Sequence, residues 1–184
     1  MSAGRFVAAD FAVPASLEAP RFTLRMLSIH DLVKDFDAVM SSRERLWARF
    51  AAPWGWPRAD LSLEQDLIDL AWHQKEFQRR TSFAYAAMSP DGARLLGCVY
   101  IEPLVVRDET AAEAAGETAG GAADAVEAEV WFWARSSELA SGLEDELGRA
   151  VADWLARDWP FRRVLWQGVA REVVRAASST ESAL

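Results

Sequence analysis

Cysteine and histidine are scarce in this chain, and it has no long apolar run. Each shortage excludes something. Cys98 is the only cysteine in 184 residues, so no internal disulfide can form, which fits a reducing cytoplasm. The two histidines, His30 and His73, stand apart, with no cysteine or carboxylate at ligand spacing, so no metal site is expected. No apolar stretch approaches the roughly 20 residues of a membrane span. The N-terminus lacks a basic region followed by an apolar core, so neither a membrane partner nor a signal peptide is expected. Basic residues are outnumbered: 20 Lys and Arg face 28 Asp and Glu, for a net charge of −8. A nucleic-acid partner needs a basic face to displace phosphate counterions, and none is expected here.

Bulk, by contrast, is plentiful. Hydrophobic residues make up 51% of the chain, so it is globular, and nine Trp imply a bulky core, a flat aromatic pocket, or both. The length suits a single domain over residues 1–184 with one core. Residues 1–20 read as an N-terminal arm with Pro14 and Pro20. Phe22–Leu27 reads as a strand, and Ser28 with Asp31 starts a helix carrying Leu32, Phe36, Val39 and Met40. The helical signal resumes at Glu44–Phe50 and is broken by Pro53-Trp54-Gly55-Trp56-Pro57. Ser62 and Gln65 form a capping-box pattern for a further helix, with Leu63, Leu67, Leu70 and Phe77 as its apolar stripe.

Phe83–Met88 and Arg94–Val106 read as strands joined by the turn Ser89-Pro90-Asp91-Gly92. Residues 108–125 are low in complexity and read as a flexible hairpin loop. Glu127–Ala134 reads as a strand. Ser141 and Glu144 suggest a second capping box, opening a helix with Leu143, Leu147, Val151, Trp154 and Leu155 inward. Trp159-Pro160 ends that helix, Arg163–Gln167 gives a last strand, and 169–184 forms a tail too short for much more structure. The last helix crosses between two strands, so that pair is expected to be parallel. The order predicts an α+β domain with a mixed, mainly antiparallel sheet flanked by helices.

The stretch 128–155 carries the strongest functional signal. A strand feeding a helix N-terminus makes an anion site, because first-turn N–H groups lack intrahelical partners. Ser136, Ser137, Ser141 and Gly142 suit a phosphate there, whereas Glu138, Glu144, Asp145 and Glu146 do not.

This strand–loop–helix, together with RFTLRML at 21–27 and RLLGCVYIEP at 94–103, resembles the GNAT N-acyltransferase superfamily over roughly residues 21–168. The resemblance implies a GNAT-like fold and transfer of an acetyl group from acetyl-CoA to a small-molecule or peptide amine acceptor. In that family a Gln/Arg-x-x-Gly-x-Gly/Ala loop cradles the pyrophosphate. The aligned residues are Leu139-Ala140-Ser141-Gly142-Leu143-Glu144, of which only Gly142 matches. A tyrosine often serves that family as general acid, yet none follows Tyr100.

By this resemblance the N–H groups of Ser141, Gly142 and Leu143 face the pyrophosphate; otherwise they form a plain helix start. Trp133 or Ala134 supplies a strand N–H to the cosubstrate. Glu129 is the candidate catalytic base, or else lies on a solvated stretch. Trp54 and Trp56 wall the acceptor site, or pack in the core. Cys98 is a core thiol rather than an acyl carrier. Two further outcomes stay open: a GNAT-like domain that binds or dimerises without catalysis, and a small-molecule or peptide binding module built on the aromatic segment. The strand Arg163–Gln167 is expected to have an open apolar edge, which predicts a homodimer.

Overall fold

The computed structural model describes residues 6–104 and 127–173. The loop expected at 108–125 and the tail beyond residue 173 lie outside that range. Seven strands form one sheet in sequence order: β1 (Ser16–Glu18), β2 (Thr23–Met26), β3 (Phe83–Met88), β4 (Leu95–Glu102), β5 (Ala128–Ala134), β6 (Arg163–Trp166) and β7 (Val169–Glu172). Every neighbouring pair is antiparallel except β5 and β6, which the crossover helix α4 (Leu143–Asp158) makes parallel. Three helices, α1 (Leu32–Ser41), α2 (Arg43–Trp54) and α3 (Leu63–Arg79), follow β2. Among the described residues no helix is long and apolar enough to cross a membrane.

Alternation along β3 assigns the two faces of the sheet. Phe83, Tyr85 and Ala87 pack in one core cluster with Leu147, Val151 and Trp154 of α4. Ala84, Ala86 and Met88 pack in the other, with Val39 of α1, Phe50 of α2 and Leu70 of α3. The sheet is therefore covered on both faces, and β3 is buried throughout. Gly97 lets β4 lie tight against β5: a Cβ there falls 2.9 Å from Ala134 Cα and closer still to the Trp133 carbonyl oxygen.

Four expectations are corrected. The N-terminal arm contributes β1, and its Val7, with Phe6 and Phe11 packed alongside, belongs to the core. On α3, Leu70 is buried as expected, but Leu63 and Leu67 are exposed and Asp66 is buried. The tail is not too short for structure. β7 pairs along β6 from Arg163↔Glu172 to Trp166↔Val169, so the edge that motivated a homodimer is covered within the chain. The fourth correction lies at the start of α4. Ser136–Ser141 coils into a 3-10 turn, and Gly142, at φ 74°, reverses the chain before α4 begins. Ser141 Oγ donates to the Glu138 carbonyl at 2.7 Å, and no side chain caps the helix.

Candidate active site

A cavity of about 280 Å³ opens on the face of the sheet that α1, α2 and α3 cover. Trp54 from the end of α2, Trp56 just beyond it and Trp72 from α3 supply much of its apolar wall, with Tyr100 from β4. Trp54 is held in place by parallel stacking on Phe50 at 4.7 Å and by edge contacts to Tyr100 and Trp131. The nine Trp serve both purposes raised by the sequence, since Trp133, Trp154 and Trp159 are fully buried core residues.

Four carboxyl groups line the same cavity: Asp35 from α1, Asp66 and Asp69 from α3, and Glu102 at the end of β4. Asp35 and Asp66 are only 5% and 2% exposed. Burial pushes both carboxyls up, Asp66 to about 6, and the two are in contact with each other. Burial also raises Asp69 and keeps His73 in its neutral form. Among the described residues that line the cavity, His73 is the one basic side chain. Cys98 Sγ lies 3.6 Å from Asp35 Oδ1, and burial drives its thiol upward, which leaves it unreactive.

A second feature lies where β5 and β6 diverge. They pair only from Ala128↔Val164 to Val130↔Trp166, after which β5 runs on to Ala134 without β6 beside it. Gln167 closes the fork, donating its backbone N–H to the Val130 carbonyl at 2.9 Å and its side-chain amide to that of Phe132 at 3.4 Å. The Arg135 N–H bonds the Leu96 carbonyl on β4, so strand alternation turns the Trp133 N–H toward β4 and the Ala134 N–H toward the fork.

The Ala134 N–H does not point into open space. Its partner is Glu144 Oε2 on α4, at 3.2 Å. The same carboxylate pairs with Arg45 at 2.9 Å and Arg49 at 2.8 Å, both on α2. Arg45 also donates to the Ala134 carbonyl. Arg21 reaches the same helix start from the other side, bonding the Ser141 hydroxyl at 2.6 Å and Glu146 at 3.0 Å. Three arginines distant in sequence thus converge on the loop whose acidic residues looked unsuited to an anion.

The structure brings some candidate residues together and separates others. Trp54 and Trp56 line the cavity. Glu129 is half-buried outside its lining but is the direct register partner of Glu102, on the same face of the sheet. Ala134 meets the start of α4 through Glu144, next to Leu143, whose side chain is buried as the anchor of that helix, whereas the Gly142 N–H is taken by the Leu139 carbonyl at 2.9 Å. Sequence reading missed Asp35, Asp66, Asp69, Tyr100 and Glu102, and the three arginines. One signal was present: Asp35 shares the inward stripe of α1 with Ala38 and Val39, and Asp66 precedes the buried Leu70 by one turn. An acid at a core-facing helix position is informative in itself.

No family model matches the sequence, and no curated protein matches it either. Solved structures do. The ribosomal-protein-S5-alanine acetyltransferase from Vibrio fischeri is 17% identical, with a TM-score of 0.56 over 82% of this chain and 72% of that one. The RimL ribosomal L7/L12 α-N-protein acetyltransferase, in complex with coenzyme A, is 16% identical, with a TM-score of 0.55 over 82% and 71%. The microcin C7 self-immunity acetyltransferase MccE, in complex with acetyl-CoA and AMP, is 10% identical, with a TM-score of 0.54 over 83% and 72%. At these identities the shared property is the fold: this chain has the fold of the GNAT acetyltransferases.

Proposed function

We propose that the protein is an N-acyltransferase that moves an acetyl group from acetyl-CoA to an amine acceptor. The observation that carries this reading is the fork between β5 and β6, with the Ala134 N–H turned into it and Arg21, Arg45 and Arg49 grouped at the start of α4. Arginine guanidinium groups suit a polyphosphate, and a strand N–H suits the oxygen of a thioester carbonyl. RimL with coenzyme A and MccE with acetyl-CoA show that proteins of this fold bind such a cosubstrate, which supports the same role here.

In this reading the acceptor enters the aromatic cavity, and Glu129 takes a proton from its ammonium, directly or through water. The free amine attacks the thioester carbonyl carbon, the C–S bond breaks, and the leaving thiolate takes up the proton that the new amide nitrogen gives up, so the products are the amide and free coenzyme A thiol. The protein's share is positioning, proton removal and the Ala134 N–H. The Trp133 N–H faces β4, so it has no part in this.

Glu144 favours a second reading, a GNAT-like binding module without catalysis, because its carboxylate holds the Ala134 N–H and two of the arginines. Melting curves with acetyl-CoA, together with release of free thiol in the presence of primary amines, separate the two. A transferase gives a shift of several degrees and amine-dependent thiol release. No shift and no thiol at millimolar acetyl-CoA would leave the binding module.

A further inference from the structure

We propose that the side-chain amide of Gln167 is an internal stand-in for a ligand amide: it holds the edge of β5 until the secondary amides of the coenzyme A arm displace it. Only the identity of the ligand rests on the acyl-transfer reading. The occupied edge is a property of the fold.

Beyond Val130, β6 no longer runs beside β5, and the backbone groups of Phe132 and Ala134 face the fork on the same side. Three of these groups are taken by side chains from three other segments. Gln167 Nε2 donates to the Phe132 carbonyl at 3.4 Å, the Ala134 N–H donates to Glu144 Oε2 at 3.2 Å, and Arg45 donates to the Ala134 carbonyl. An amide, a carboxylate and a guanidinium thus do the work of a neighbouring strand. An extended chain with amides of its own pairs with such an edge as a strand does. The arm that joins the thiol of coenzyme A to its phosphates is a chain of that kind, neutral and carrying two secondary amides.

Of the three side chains, Gln167 is the one held least well. Glu144 and Arg45 pair with each other at 2.9 Å. Gln167 has a bond to Phe132 that is long for N–H···O, and its Oε1 is buried without a hydrogen-bond partner among the described residues. The Phe132 carbonyl only accepts, so the amide cannot turn round to satisfy that oxygen there. Swinging out of the fork brings Oε1 to water, while a ligand N–H takes over the Phe132 carbonyl. The exchange replaces a poor bond and an unpaired acceptor with two satisfied groups.

The backbone gives a second, independent reason. Gln167 and Gly168 form the two-residue link between β6 and β7, with φ of 54° and 79°. A hairpin link with both residues at positive φ favours Asn or Gly in its first position, so the turn itself does not call for a glutamine. What the longer side chain adds is its reach to Phe132.

The test is calorimetry on the full chain with three probes: coenzyme A, pantetheine, which is the arm without the nucleotide, and the adenosine bisphosphate half, which is the nucleotide without the arm. Gln167→Gly suits the turn and frees the Phe132 carbonyl. Gln167→Glu keeps the shape but, ionised at neutral pH, has no proton to donate. Both variants should bind pantetheine roughly three- to tenfold more tightly than the parent, the worth of one hydrogen bond. Gln167→Gly should show the same gain for coenzyme A and none for the adenosine bisphosphate. Urea unfolding should find Gln167→Gly no less stable than the parent, whereas a glutamine that merely ties the fork together would cost stability when removed. Pantetheine binding that is unchanged or weaker in both variants overturns the proposal. So does an equal gain for the adenosine bisphosphate, or a marked loss of stability in Gln167→Gly. If coenzyme A binds the parent and Gln167→Gly alike, the transferase reading stands and the stand-in falls. If it binds neither, both fall.

Discussion

Asp66 occupies a helix position where a leucine would ordinarily sit, and its chemistry follows from that. Burial, with Asp69 adding to it, pushes its carboxyl up to about 6 from an ordinary value of 3.8. A group with a higher pKa in the folded state stabilises the fold most below its unfolded value. That contribution is lost as pH rises through the folded value. Stability should therefore decline between about pH 4 and about pH 6, the window set by these two values. Asp66→Asn should flatten this decline and raise stability at neutral pH by on the order of 1–3 kcal/mol. Urea unfolding at a series of pH values checks both points, and a variant less stable than the parent at neutral pH would refute the argument. Gly97 behaves in the opposite way. Gly97→Ala drives a methyl group into the backbone of β5, which cannot yield as a flexible side chain can. A loss of more than about 3 kcal/mol, or failure to fold, is expected, and a near-normal melting temperature would show that the strands separate easily.

At the scale of elements, the start of α4 is where local and tertiary chemistry meet. An acidic first turn complements the helix dipole, which by itself accounts for Glu144, Asp145 and Glu146. Packing α2 against this turn gives Glu144 a further role, since its carboxylate holds Arg45, Arg49 and the Ala134 N–H together. An incoming phosphate competes with that carboxylate for the same donors. Glu144→Gln should keep the shape, free the arginines and raise affinity for coenzyme A. The gain should be larger at low salt, where screening is weaker. Calorimetry at two ionic strengths measures this. No gain at either would mean that the phosphates do not reach these arginines.

The whole molecule depends on how its sheet ends. β6 is short and apolar, with Val164, Leu165 and Trp166 all buried, and β7 is what covers its outer edge. Truncation after Gly168 should bare a row of unpaired N–H and C=O groups beside apolar side chains, which is a template for association. Light scattering should then show concentration-dependent association beyond that of the full chain. A monomeric truncation product would mean that other parts of the fold shield the edge.

Much of this architecture follows from local chemistry. Alternation, capping residues and breakers determine β2, β3, β4, β5, α3 and α4 to within a few residues, because each depends on neighbours close in sequence. The parallel pairing of β5 and β6 follows from the helix between them. Trp54 and Trp56 stood out because prolines and a glycine flank them. The rest was decided by contacts between distant segments. Arg21, Arg45 and Arg49 look like ordinary surface charges until α2 and the chain before β2 bring them to α4. Asp35 and Asp66 lie 31 positions apart, and only the packing of α1 on α3 makes them a pair. β7 pairs through the sheet and has little propensity signal of its own. Periodicity tells which face of an element is buried; which buried faces meet, and which charges they bring together, is decided by the tertiary packing.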